Sequence, residues 1–109
     1  MINFEELQKN IHKNAKLHGW WDKERNIPEC LCLIHSEVSE ALEDYRSGRM
    51  ITTYREIDEK PEGFPSELAD IMIRVMDLAE GMGVDLGKEI LEKHEYNKTR
   101  PYKHGGKRA

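Results

Sequence analysis

Residues 66–80 read SELADIMIRVMDLAE, and this stretch decides the fold. Nine of its fifteen residues are apolar, and at 3.6 residues per turn they cover nearly every side of a helix. Such a helix needs neighbours on all sides, so we expect it to be central and buried. Four polar side chains interrupt it at i, i+3, i+7 and i+10 and form a strip about 80° wide. These are Glu67, Asp70, Arg74 and Asp77.

Helical spacing of apolar residues continues on both sides of this stretch, with no convincing period-two segment that would indicate a strand. We therefore predict an all-α fold, a bundle of helical hairpins. The predicted helices run from Asn3 to about Leu17, from about Pro28 to Arg46, from Pro65 or Ser66 to Glu80, and from Asp85 to about Lys98. The polar connection from Ser47 to Phe64 is longer than a bundle requires, which is typical of a lid, a binding loop or a subunit contact.

Length and composition limit the classes of protein to consider. A chain of 109 residues forms one domain, predicted here as residues 1–98 with a basic arm at 99–109. No apolar run approaches the ~18 residues of a membrane span, and the N-terminus lacks a signal-peptide pattern, so we expect a soluble, cytoplasmic protein without a membrane partner. Residues 29–70 hold eleven acidic against four basic residues, which disfavours nucleic acid as a partner.

A second acidic strip lies on the predicted helix two, where Glu37, Glu40 and Asp44 are spaced i, i+3 and i+7. The apolar stripe of the same helix, predicted to face inward, consists of Leu31, Ile34, Val38, Leu42 and Tyr45. A solvated face remains an alternative for helix two taken alone. If the two acidic strips face each other, their repulsion requires divalent cations or proton uptake. Carboxylates alone select Mg²⁺ or Mn²⁺, and Mg²⁺ completes its shell with water and phosphates.

The two motifs Glu37-x-x-Glu40 and Glu67-x-x-Asp70, followed by Lys93-x-x-x-Asn97-x-x-Arg100, resemble the ExxE…ExxD signature of the MazG-like all-α nucleotide pyrophosphohydrolases. The resemblance covers almost the whole chain and is weakest in residues 46–64. It implies a homodimer or a dimer of dimers, with Mg²⁺ bound by Glu37, Glu40, Glu67 and Asp70. The implied reaction is hydrolysis of a nucleoside triphosphate between the α and β phosphates, which gives a monophosphate and pyrophosphate.

Individual roles follow for the remaining candidate residues. We interpret Glu40 as the base that accepts a proton from water, with Glu43 as the competing base or outer ligand. On the predicted helix four, Lys93 and Asn97 continue the apolar face formed by Leu86 and Ile90, which favours contacts to phosphate or sugar over a snorkelling lysine.

Three further candidates complete the predicted site. Arg100 extends the cationic wall formed by Lys93. In the family that the chain resembles, an aromatic residue and a histidine line the base pocket, and spacing along the chain points to Trp21 and His12 for these places. A buried structural tryptophan remains the alternative for Trp21.

The sequence thus predicts a Mg²⁺-dependent (d)NTP pyrophosphohydrolase that removes unwanted nucleotides from the pool. Alternatives are a dUTP/dCTP-specific or phosphoribosyl-ATP pyrophosphohydrolase of the same superfamily, or a non-catalytic helical adaptor that uses its acidic face to bind a basic partner.

Overall fold

The central element of the computed structural model, which describes residues 1–102, is the helix that contains residues 66–80. The described residues form four helices: α1 (Phe4–Leu17), α2 (Ile27–Arg46), α3 (Phe64–Gly81) and α4 (Leu86–Lys98). α3 packs against all three others. The predicted all-α class is confirmed. The predicted basic arm lies largely outside the described residues, since only 99–102 of it belong to them.

Side-chain caps explain where three of the helices, α1, α2 and α4, begin. The side-chain oxygen of Asn3 accepts a hydrogen bond from the Glu6 amide at 3.0 Å, and Asn26 does the same for Glu29 at the start of α2. Asp85 caps α4 by accepting from the amide of Lys88 at 3.2 Å. These caps satisfy amides that have no partner within the helix.

The connection between α2 and α3 contains a short antiparallel hairpin that the sequence did not predict. Its strands are β1 (Thr53–Tyr54) and β2 (Pro61–Glu62). Gly63 joins β2 to α3 at φ 113°, and a Cβ atom there would lie 2.3 Å from the carbonyl oxygen of Ile51. Only glycine fits this position without strain, because both the backbone angle and the space exclude a side chain.

The face that α2 turns toward α3 differs from the prediction. Cys30, Ala41 and Asp44 are buried and Glu37 is half-buried, so the inward stripe of α2 carries two of its acids. Of the stripe predicted to face inward, only Ile34 is half-buried, and the other four residues are 48–62 % exposed. This outer stripe of α2 consists of Leu31, Val38, Leu42 and Tyr45. Across this contact the Nε of Arg74 on α3 donates to Glu37 on α2 at 2.9 Å, so the polar sides of the two helices meet.

Within one chain α3 is central, as predicted, but only partly buried. Met76, Asp77 and Ala79 are buried, but Leu68 and Met72 remain 45 % and 44 % exposed. One short layer of helices covers only part of the circumference of α3. Within residues 1–102, no helix has the length and apolar character that a membrane span requires.

Candidate metal centre and adjoining cavity

Three carboxylates meet where α2 crosses α3. Glu37 comes from α2, and Glu67 and Asp70 lie one turn apart near the start of α3. Each offers an oxygen that lies within 4.8 Å of the other two, and all three side chains are half-buried. The i, i+3 spacing on α3 places its two acids on one side of the helix, where the inward stripe of α2 supplies the third. We call this group the acidic cluster.

The electrostatics of the acidic cluster show that its charges are only partly compensated. The Nε of Arg74 donates to Oε1 of Glu37 at 2.9 Å. Burial raises the pKa of Glu67, and the charges of Asp70 and Glu37 raise it further. Burial and Glu37 also raise the pKa of Asp70, although Lys60 and Arg74 act in the opposite direction. The raised pKa values mean that the folded chain disfavours full ionisation of the cluster.

These residues fit a hard divalent cation. The donor set consists of carboxylate oxygens alone, which Mg²⁺ and Mn²⁺ prefer over soft ligands. A cation would also relieve the repulsion that raises the pKa of Glu67 and Asp70. The acidic cluster therefore has the ligand chemistry of a site for a hard divalent cation, and Mg²⁺ as its occupant stays a prediction.

Glu40 and Glu43 lie outside the acidic cluster, and both are exposed. The charge of Glu40 nevertheless raises the pKa of Glu67, as does the buried carboxylate of Asp44, so both lie within electrostatic range of the cluster. Asp44 forms an ion pair with Arg49, whose Nε donates to Oδ1 of Asp44 at 2.8 Å. Glu40 thus borders the acidic cluster without belonging to it.

A cavity of about 620 Å³ opens beside the acidic cluster, between α1, α3 and the loop that joins α1 to α2. Glu37, Asp70 and Arg74 line one end, and Asp77, Arg25 and Trp20 line the other. Its volume falls within the ~300–1,000 Å³ that small-molecule sites occupy. We call it the central cavity. Its remaining lining residues are Asn10, Ile11, Asn14, Ala15, His18 and Ile73.

Asp77 organises the far end of the central cavity. Its buried carboxylate accepts from the indole Nε1 of Trp21 at 3.0 Å and lies 2.8 Å from Nδ1 of His12. The Nη1 of Arg25 lies 3.5 Å from the second oxygen. The rings of His12 and Trp21 pack edge to face, with centroids 4.9 Å apart. One acid on α3 thereby connects α1 with the loop that follows it.

The predicted base-pocket residues Trp21 and His12 both contact the carboxylate of Asp77. Neither of them lines the central cavity. The cavity wall is formed by Trp20 and Arg25, which sequence reasoning did not select. Both lie in an irregular loop, where no periodicity indicates which side chains point inward. In the sequence, only the adjacent Trp20 and Trp21 followed by Arg25 could have indicated an aromatic and cationic wall here.

Lys93 and Asn97 line a separate surface cavity on α4, together with Leu86 and Ile90. These four residues share one face of α4 as predicted, but Ile90, Lys93 and Asn97 are exposed, so the inward orientation expected for this face is wrong within one chain. No residue of the acidic cluster lines that cavity. Among residues 1–102, no hydrogen bond or ion pair joins Lys93, Asn97 or Arg100 to the acidic cluster. Their contact to phosphate stays a prediction.

Comparisons of the chain with protein-family models, with curated proteins and with solved structures found no match. The resemblance to the MazG-like pyrophosphohydrolases consequently stays a prediction that rests on the two acidic motifs.

Proposed function

We propose that this protein is a Mg²⁺-dependent nucleoside triphosphate pyrophosphohydrolase, which converts a (d)NTP and water to a (d)NMP and pyrophosphate. The observation that carries the proposal is the acidic cluster beside the 620 Å³ central cavity, which two of its members, Glu37 and Asp70, line. A cation site at one end of a cavity of this size suits a ligand with phosphates at one end and an organic group at the other.

In the proposed mechanism, Glu37, Glu67 and Asp70 would hold the cation, and Arg74 orients Glu37 from α3. A bound Mg²⁺ would supply charge neutralisation at the phosphate oxygens and Lewis acidity. Water attacks the α phosphorus in line, the bond from that phosphorus to the α–β bridging oxygen breaks, and pyrophosphate leaves. Glu40 accepts the proton of the attacking water, because it is an exposed carboxylate at the border of the acidic cluster.

Two residues of α4 and Arg100, which follows this helix, have a separate role. Lys93, Asn97 and Arg100 contact the phosphate chain, since cationic and amide donors neutralise and position phosphate oxygens. An enzyme of this activity would act on the cytoplasmic nucleotide pool.

We further propose that the chain functions as a homodimer or homotetramer. The outer stripe of α2 and the exposed Leu68 and Met72 of α3 leave apolar side chains uncovered on the two helices that carry the acidic cluster. A second copy would cover these residues and remove them from water.

The function is tested with a panel of NTPs and dNTPs in Mg²⁺, with pyrophosphate and orthophosphate assayed separately. We expect pyrophosphate and a nucleoside monophosphate. Orthophosphate with a diphosphate product would overturn the proposed bond cleavage. An absence of turnover, with the acidic face binding a basic protein instead, would support a non-catalytic adaptor.

A further inference from the structure

The central cavity has two chemically different ends, and α3 fixes the distance between them. Asp70 belongs to the acidic cluster and Asp77 to the far end, and both line the same cavity. Seven residues separate them, which corresponds to about 10 Å of helix rise. This span is comparable to the length of a nucleotide from its phosphate to the outer edge of its base. A nucleotide with its phosphates at the acidic cluster would therefore present the distal edge of its base to the Asp77 end.

Arg25 is the donor that such a base would meet. Its side chain is only 16 % exposed, and it lines the central cavity. Its guanidinium lies over the rings of Trp20 and Trp21, 5.7 Å and 5.2 Å from their centroids. Among residues 1–102, its one charged partner is Asp77, at 3.5 Å. The guanidinium is thus held in place by two rings and one carboxylate, while most of its five N–H groups have no acceptor within the described part of the chain.

The chemistry of a fixed guanidinium selects among the bases. Its parallel N–H donors match two adjacent acceptors, as on the O6/N7 edge of guanine. The corresponding edge of adenine carries the N6 amino donor beside N7, which would face another donor. Cytosine also has two adjacent acceptors, O2 and N3, but O2 lies next to the sugar and cannot point to the end opposite the phosphates. Among the common bases, guanine alone places an acceptor, O6, away from the sugar with the acceptor N7 beside it.

Trp20 provides the second element of the site. Its ring is 60 % exposed and lines the central cavity beside Arg25. An exposed indole offers a flat surface on which a base can stack, whatever its identity. Trp20 would therefore contribute to affinity, and Arg25 would determine which base is accepted.

We propose that Arg25 reads the O6/N7 edge of guanine and that the preferred substrate is a guanine nucleoside triphosphate. This inference rests on the proposed function, because it takes the acidic cluster as the phosphate end of the cavity. It assigns a specificity role to a residue that neither of the acidic motifs contains.

The first arm of the test uses the wild-type chain and compares kcat/KM for GTP, 7-deaza-GTP, ATP and CTP in Mg²⁺. We expect GTP to exceed ATP by about tenfold or more, as one bidentate contact to a base provides. The 7-deaza analogue lacks the N7 acceptor and should lose most of that advantage. Equal values for GTP and ATP, or a preference for CTP, would overturn the assignment.

The second arm uses Arg25→Lys. This substitution keeps a cation beside Asp77 but removes the planar guanidinium with its parallel N–H donors. The GTP to ATP ratio should fall to within about twofold. The matched control is Arg49→Lys, because Arg49 also pairs with a buried aspartate but lies outside the central cavity; its ratio should equal that of the wild type. An equal loss for every nucleotide in Arg25→Lys would assign Arg25 to phosphate and overturn base reading.

Calorimetric binding of GMP and AMP separates this inference from the proposed function. Tighter binding of GMP that Arg25→Lys abolishes would support base reading even if no nucleotide released pyrophosphate. Pyrophosphate release without any base preference would retain the proposed function and overturn the role of Arg25.

Discussion

Arg74 and Glu37 form the ion pair that connects the two helices of the acidic cluster, with Nε and Oε1 2.9 Å apart. This pair compensates one carboxylate of the three. Glu67 has no ion-pair partner among the described residues, and its pKa is raised by burial and by Asp70 and Glu37. The metal-free fold therefore retains repulsion that a bound cation would remove.

Replacing Glu67 by Gln should relieve this repulsion at nearly constant side-chain volume. In EDTA, we expect Glu67→Gln to melt at a higher temperature than the wild type. Mg²⁺ at a hundredfold excess over Kd should stabilise the wild type by about 2.7 kcal/mol, and the gain should shrink in the variant because a ligand is missing. Thermal melts of both proteins in EDTA and in Mg²⁺ measure the two effects. Equal Mg²⁺ shifts would remove Glu67 from the metal site.

The role of Glu40 as a base rather than a ligand predicts a different pattern. Because Glu40 is exposed and outside the acidic cluster, Glu40→Gln should keep most of the Mg²⁺-induced melting shift. Activity should fall by about 10²-fold or more, as the loss of a general base does. Glu43→Gln is the matched control on the same helix and should retain activity. A reversed result, with Glu43 essential and Glu40 dispensable, would exchange their roles.

Lys93 should serve phosphate and leave the metal unaffected, because an ammonium group repels cations. We expect Lys93→Ala to raise the KM for nucleotide severalfold while the Mg²⁺-induced melting shift stays unchanged. Lys98→Ala is the control, since Lys98 is an exposed lysine on the same helix that pairs with Glu95 at 2.9 Å. Kinetics identical to the wild type would mean that Lys93 only covers apolar surface.

Local signals predicted the helices better than they predicted packing. Asn3 and Asp85 mark helix starts because a cap is a contact between near neighbours in the chain. The face of α2 was mispredicted because apolar periodicity points to the outer stripe, whereas the polar strip of α3 determines which sides meet. Trp20 and Arg25 were missed for a related reason: a loop has no period, and only tertiary contacts fix these side chains. Arg25 pairs with Asp77, and its guanidinium lies over the ring of Trp20.

The outer stripe of α2 predicts self-association. Leu42 is 55 % exposed at the middle of this stripe, so a charge there should oppose burial against a second copy. We expect the wild type to sediment at two or four times the 12.8 kDa of one chain, and Leu42→Lys to shift it toward the monomer. Leu17→Lys is the control, because Leu17 is equally apolar and 76 % exposed at the end of α1. A monomeric wild type at micromolar concentration would contradict the prediction.

Gly81 at the end of α3 should be required by the ring of Trp21. An alanine within a helix usually stabilises by about 0.5–1 kcal/mol relative to glycine. At Gly81, however, a Cβ atom would lie 2.3 Å from Cη2 of Trp21, and the ring cannot retreat without straining the bond from Nε1 to Asp77. We therefore expect Gly81→Ala to lower the free energy of unfolding by about 1–3 kcal/mol, as overpacking does.

Gly87→Ala is the matched control for this substitution, since Gly87 is also helical and its Cβ would meet only Phe4, at 3.3 Å. It should change stability by less than about 1 kcal/mol, because the edge of one ring can shift slightly. Combining Gly81→Ala with Trp21→Phe should recover part of the loss, since the smaller ring leaves room for the methyl group, and a double-mutant cycle from urea unfolding gives the coupling. Additive effects in that cycle would show that Trp21 does not require the glycine.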